Sequence, residues 1–287
     1  LSIKAITRKL TALGIPTKGD KNDLIHKVQG RGVWHSSSVG CILNNEVYAS
    51  EYAGATLADK IVNAVNDLPG FRGRIRVTPK DDGSAWSWPD AGVTWDPTSW
   101  AGIELDIDRN VEIVYGGSDW MLTIDHGGDT NFSETPMFIR GGIWRPDGTG
   151  DPDGWLRSID GGGMYVNPQE VGTPTNPWSN STGTCWALEY RNRDAWNEGN
   201  ITEIYSGNGD NGLNFVPAGV NPNASAGGTE SFHDNKVEAF AFNVLADGGV
   251  GMHLDGKMQY VKFGSEVRIF LKGDGCRGIE LDGQDAG

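Results

Sequence analysis

Apolar residues along this 287-residue chain follow two rhythms. At the start, Ile3, Ile6, Leu10 and Leu13 recur at helical spacing, Gly14 closes that helix, and Pro16 holds the next residues extended. Asp20 then predicts the cap of a second helix that buries Leu24, Ile25 and Val28. Residues 32–46 keep no period, because Gly, Ser and Asn interrupt it, and they read as a linker between a module over 1–31 and a domain over 47–287. Thr56 to Leu68 (TLADKIVNAVNDL) predicts another helix: Thr56 caps it, Asp59 follows at the third helical position, and Leu57, Ile61, Val65 and Leu68 share a face. Beyond it the period falls to two. RIRVTP, IELDIDRNVEIVYGG, MLTIDHGG, KVEAFAF, QYVKF and VRIFL are short alternating strands.

The strands repeat one another. Gly251 to Gly256 (GMHLDG) returns as Gly278 to Gly283 (GIELDG), with looser copies at Gly212 to Val216 and Gly102 to Asp106. Each copy points two apolar residues at i and i+2 to one side, and the two close copies then turn on Asp-Gly. Repeated short strands without long intervening helices exclude a doubly wound sheet. They predict a mainly β fold, a right-handed parallel β-helix in which the displacement between the two close copies matches one coil. A propeller or jelly roll is the alternative. The 56–68 helix fits the role of cap over the exposed apolar end and unpaired edge of the first coil.

This order of helix, strand, Asp-rich strand and Gly-ended strand resembles the start of pectate-lyase-like β-helices, among them viral tailspikes and polysaccharide-degrading enzymes. The segment 1–31 resembles the SAP and HeH/LEM helix-extended-helix family, on Leu10, Leu13 to Gly19 and Asp23 to Ile25. Members of that family bind DNA or proteins, and related modules occur on phage structural proteins.

Charge divides the chain at the same place. The net charge is −14, yet residues 1–31 hold seven basic and two acidic residues, about +5, which leaves 17 basic and 36 acidic residues, −19, in the remainder. An acidic bulk disfavours nucleic acid or an anionic membrane as partner and suits a protein kept soluble in brine. The basic Lys4, Arg8, Lys9, Lys18, Lys21 and Lys27 are the candidate docking residues. The 42 Gly and 13 Pro agree with many tight turns. Cys41, Cys185 and Cys276 are odd in number and far apart, so they read as small apolar residues rather than a disulfide or metal framework. No apolar run is long enough to span a bilayer, and no membrane insertion is expected.

Candidate chemistry follows from the stacking. Neighbouring parallel strands lie about 4.8 Å apart, so carboxylates in adjacent coils approach the spacing of a retaining glycosidase and those two coils apart the spacing of an inverting one. Asp255 and Asp282, and Asp106 and Asp108 along one strand, are the catalytic candidates, with Asp-Gly turn formation as the alternative for the first pair. A lyase would need a basic residue such as Arg140, Arg157 or Arg191 beside calcium. Asp147, Asp151 and Asp153 have a loosely calcium-like spacing, with a solvated turn as the alternative; otherwise no cofactor is expected. His126, His233 and His253 are too scattered for a metal site. Trp86, Trp88, Trp95, Trp100 and Trp178 are candidate sugar-stacking platforms, or else packing against the solenoid.

The expectation from charge, solenoid pattern and resemblance together is a virion surface protein, a tailspike or fibre component. It docks to other virion proteins through its N-terminal module, binds host surface glycan or glycoprotein, and forms a homotrimer. The alternative is a secreted, extracellular polysaccharide lyase or glycoside hydrolase. A DNA-associated protein is a third reading.

Overall fold

A computed structural model of the chain describes residues 2–15, 33, 35, 46–68, 73–96, 102–125, 137–159, 164–192, 200–217, 231–233, 235–255, 257–259 and 261–282. The chain divides into two compact units, residues 1–47 and 48–287. In the first, helix α1 (Ile3–Ala12) starts on Ser2, whose Oγ accepts from the Ala5 N–H at 3.3 Å. It ends where Gly14 adopts φ +61°, a left-handed conformation that costs glycine little. Lys4, Arg8 and Lys9 are exposed on α1. Lys18, Lys21, Lys27, the second expected helix and Cys41 lie outside the described residues. Strand β1 (Glu46–Tyr48) crosses the boundary between the units.

The second unit opens with α2 (Leu57–Asp67), and its start is the expected capping box. Asp59 Oδ2 accepts from the Thr56 N–H at 2.9 Å while Thr56 Oγ1 accepts from the Asp59 N–H at 3.3 Å. Leu57, Ala58, Ile61, Ala64 and Val65 are buried, and the helix packs on the first strand of the solenoid, β2.

From there the chain winds. The first coil contributes β2 (Gly73–Val77), β3 (Trp86–Ser87) and β4 (Val93–Trp95); the second β5 (Ile103–Tyr115) and β6 (Trp120–Asp125); the third β7 (Met137–Pro146) and β8 (Gly154–Ile159). Next come β9 (Met164–Asn167), β10 (Glu170–Val171) and β11 (Trp186–Asn192), then β12 (Ile201–Gly209) and β13 (Asn211–Pro217). A short β14 (Ser231–His233) precedes β15 (Lys236–Val244) and β16 (Val250–Asp255). Finally β17 (Lys257–Gln259), which pairs with β14, precedes β18 (Lys262–Leu271) and β19 (Arg277–Asp282).

Two parallel sheets result. One runs β2, β5, β7, β10, β12, β15, β18, and the other β4, β6, β8, β11, β13, β16, β19. The fold is a parallel β-solenoid of about six turns. The pairing of Asp255 with Asp282 establishes that the step from GMHLDG to GIELDG is one coil. Other coils are longer, such as the one that leads from Leu213 to its ladder partner Met252, and the ladder accommodates the longer circuit. The looser copy at Gly102 to Asp106 belongs to a different face: Ile103 pairs with Gly73 in the first sheet, whereas Leu213, Met252 and Ile279 align in the second.

The first sheet folds along its length. The β5–β7 register slips between Ile107 and Glu112, and at the same level β7 carries Gly141 at φ +73°. A Cβ on Gly141 would stand 1.8 Å from the Ile107 carbonyl oxygen, so the bend needs glycine there.

The interior is aromatic. Trp95, Trp88, Trp144 and Trp155 form a chain of ring contacts at 5.7, 5.6 and 5.6 Å, and Trp178 lies 6.2 Å from Tyr115. Trp88 Nε1 donates to the Met121 carbonyl at 2.7 Å, and Trp178 Nε1 donates to that of Trp144 at 3.2 Å, which lets these two indoles be buried without stranding their N–H groups. The last coil differs: Phe263, Phe270, Leu271, Ile279 and Leu281 are all exposed, Leu281 by 72%.

Candidate functional site

The fold line of the first sheet carries a cluster of polar side chains. On its first half, two rungs cross the coils. Arg74, Glu104, Phe138 and Tyr165 align on one, and Arg76, Asp106, Arg140 and Asn167 on the next. Arg74 meets Glu104 at 2.9 Å and Arg76 meets Asp108 at 2.7 Å. Arg140 Nη1 donates to Glu104 at 2.7 Å while its guanidinium lies 5.0 Å from the Tyr165 ring centre and 5.1 Å from that of Phe138. One coil on, Glu203 accepts from Tyr165 Oη and from Asn167 Nδ2, each at 2.6 Å. These pairs are partly exposed, so they hold side-chain geometry more than they stabilise the fold.

Beside this lattice an open cleft of about 630 Å³ is lined by Asp106, Arg109, Arg140, Asn167, Gln169 and Tyr205, together with the backbone at Gly141. Tyr205 is 58% exposed, lifted out where the β12–β15 register slips between Ile204 and Gly207. An exposed phenol ring beside carboxylate, guanidinium and amide groups suits a polyhydroxylated ligand, which presents apolar C–H faces and many donors and acceptors.

The second half of the same sheet carries another rung: Glu112, Ile143 and Glu170 align across three coils. Glu112 Oε2 accepts from Arg145 Nη2 at 2.6 Å, and Glu170 Oε1 accepts from Ser206 Oγ at 3.5 Å. Burial pushes the Glu170 carboxyl above its ordinary pKa; the Ser206 hydroxyl opposes that, and the Glu112 charge adds to it. A smaller hollow of about 210 Å³, walled by Pro79, Trp86, Asn110 and Glu112, adjoins the rung.

The expected site residues are divided by this geometry. Asp106 lines the cleft and Asp108 is held by Arg76. Asp255 and Asp282 are neighbours in adjacent coils of the other sheet, where Asp282 stands 3.6 Å from His253. His253 Nδ1 in turn meets Asn214 Oδ1 at 2.8 Å, and Asn214 Nδ2 donates to the buried Glu189 at 2.9 Å. Of the three arginines, Arg140 reaches the cleft, while Arg157 and Arg191 lie on the second sheet.

The tryptophan platform needs correcting. Trp88, Trp95 and Trp178 are 2%, 3% and 0% exposed, so they fill the solenoid and offer no face to a sugar. Trp86 is also buried, its Nε1 donating to Thr78 O and its ring covered by Lys80. The reason is packing: an interior shared by wide sheet faces takes bulky flat side chains. Trp100 lies outside the described residues. Cys185 is buried, and the Cys276 thiol donates to Ala246 O.

In the acidic loop, Asp147 accepts from the Thr149 N–H and hydroxyl, and Asp151 accepts from those of Ser181. Among the described residues no three His, Cys, Asp or Glu side chains converge as a metal site requires. No helix among them is long and apolar enough to cross a membrane.

Sequence reasoning missed Arg109, Asn167, Gln169 and Tyr205 of the cleft, and Glu112, Arg145 and Glu170 of the rung. Glu112 was within reach, since it alternates with the buried Val111 and Ile113 in the same strand as Asp106. Glu170 sits in a very short strand after a proline loop, where no period marks it.

A family model described as Recombinase matches residues 1–87, under a third of the chain. It covers the first unit, α2, β2 and β3, and so overlaps the segment that resembles SAP and HeH/LEM modules. No curated protein and no solved structure matches the chain.

Proposed function

We propose that the solenoid is a glycan-binding rod, and that the chain is a virion surface protein of the tailspike or fibre kind whose basic N-terminal module docks to other virion proteins. The observation that carries the binding half is the outward cleft of Asp106, Arg109, Arg140, Asn167, Gln169 and Tyr205 on a rigid sheet. Rigid strands hold donors, acceptors and a ring at fixed spacing, which lowers the entropic cost of gripping a flexible saccharide. The virion half is supported by the charge division between the two units and by the resemblance to pectate-lyase-like tailspikes. On this reading Lys4, Arg8 and Lys9 face an acidic partner surface, and a homotrimer presents three such rods to the host.

The test is titration calorimetry of the full chain with purified host-envelope polysaccharides. Binding is expected, and Tyr205→Ala is expected to weaken it about tenfold, the equivalent of roughly 1.4 kcal/mol. Lack of binding to all of them, or binding unchanged in Tyr205→Ala, sinks the cleft as the site.

The Recombinase match favours a second reading for residues 1–87, contact with DNA through the basic segment. That reading expects duplex affinity that falls steeply with added salt, roughly one power of the salt concentration for each phosphate neutralised. An affinity indifferent to salt would leave protein docking in possession of the module.

A further inference from the structure

The sequence Asn-x-Ser/Thr, with any residue but proline in the middle, is the acceptor for N-linked sugar, and it serves where the asparagine amide and the hydroxyl two residues on reach the surface together. The described residues hold two such sequences, Asn180-Ser-Thr182 and Asn200-Ile-Thr202, and the fold presents them oppositely. Asn200 is 1% exposed: its Oδ1 accepts from the Met164 N–H at 3.1 Å, and the Thr202 hydroxyl is shut inside against Tyr190 Oη at 2.7 Å. A sugar has no access there.

Asn180 stands on the connection from β10 to β11, in a turn closed by the Gly183 N–H, which donates to the Asn180 carbonyl at 3.2 Å. Ser181, Thr182 and Thr184 are exposed around it. Thr182 Oγ1 donates to Asn180 Oδ1 at 2.9 Å, so the hydroxyl is already seated on the amide. The same oxygen accepts from the Thr184 N–H at 2.9 Å, while Asn180 Nδ2 gives one hydrogen to Thr184 Oγ1 at 3.2 Å. An amide nitrogen carries two hydrogens, and the second has no partner among the described residues. Neighbouring loops hold the turn in place: the Ser181 N–H and hydroxyl bind Asp151 at 2.5 and 2.7 Å, and the Asn180 N–H binds Asp210 at 2.9 Å. With Pro146, Pro152, Thr175 and Pro177, Asn180 lines a hollow of about 410 Å³, which leaves room for a first sugar.

We propose that Asn180 is an acceptor for N-linked glycan. The assignment is independent of the glycan-binding reading, since no residue of the turn lines the cleft. In the step, Nδ2 bonds to C1 of a sugar carried on a lipid phosphate. The bond from C1 to the phosphate oxygen breaks, its electron pair leaves with the phosphate, and Nδ2 sheds its unpartnered hydrogen as a proton. The hydrogen shared with Thr184 stays, so the turn survives the addition, and the glycan gives it a bulky, hydrated cover.

The experiment produces the full chain, led by a secretion signal, in a cell that attaches N-linked glycan. Peptides of the secreted chain are read by mass spectrometry before and after an amidase that splits the Asn–sugar bond. The peptide carrying Asn180 is expected to bear glycan and to return from the amidase with aspartate at that position, while the Asn200 peptide is bare. Two further Asn-x-Ser sequences, at 131–133 and 223–225, lie outside the described residues and are scored separately. Asn180→Gln and Thr182→Ala are each expected to abolish the glycan on the Asn180 peptide and Thr182→Ser to keep it, with circular dichroism unaltered in all three. A secreted chain with Asn180 bare, a glycan that persists in Thr182→Ala, or a glycan on Asn200 instead overturns the assignment.

Discussion

Asp210 shows how one buried carboxyl makes the fold sensitive to acidity. It is 5% exposed, and burial lifts its pKa, opposed by the Asn180 N–H that it accepts at 2.9 Å and aided by the charge of Asp151. A raised native pKa means that its contribution to stability is fully present below the unfolded carboxyl pKa of about 4 and is lost as pH rises through the native value. Asp210→Asn keeps an acceptor for Asn180 and removes that loss. Its melting temperature relative to wild type is therefore expected to rise from pH 4 to pH 7, by about 2–4 °C for each kcal/mol relieved, in thermal melts across that range. A difference that does not vary with pH would show that Asp210 titrates normally. Asp59 has the opposite sign, because Thr56 donates to its carboxylate and lowers its pKa, so its contribution fades as pH falls. The residue scale is also where the sequence was hardest to read. A tryptophan looks the same in a string of letters whether it fills a core or stacks on a ligand, and only the contact chain from Trp95 to Trp155 decides between them.

At the scale of elements the pattern was far more legible. The capping box at Thr56 and Asp59, the helix it starts, and the strands at 73–77, 103–115 and 236–244 all follow from spacing, because periodic burial is a local property that a sequence writes out directly. The solenoid followed from the echo of GMHLDG in GIELDG, which pairs Asp255 with Asp282. What spacing did not disclose was which face each strand joins. Gly102 to Asp106 echoes the second-sheet motif but lies in the first sheet, since two inward residues and a turn serve any face equally well. The fold line was hidden for a related reason: a register slip at Ile107 to Glu112 needs knowledge of the neighbouring coil. The candidate cleft and the Glu112–Glu170 rung both depend on that line, and so only Asp106 and Arg140 of their members were anticipated.

At the scale of the whole molecule, a stack in which each coil touches only its neighbours is stabilised approximately by the sum of its interfaces. That makes the rod a platform whose outer face can change without disturbing its interior, and it puts the proposed binding cleft on a surface that the core already holds fixed. Helix α2 rests on β2 and buries Leu57, Ile61 and Val65. Ile61→Ala is therefore expected to cost about 2–5 kcal/mol and to let the amides of β2 trade their hydrogens for deuterium sooner while those of β11 and β13 keep their rate, in a time course read by mass spectrometry. Equal acceleration along the stack would mean that the turns open together. A coil held only by its neighbours passes a disturbance on one step at a time, so the helix works as a bookend: while it stands, the volumes behind it cannot lean.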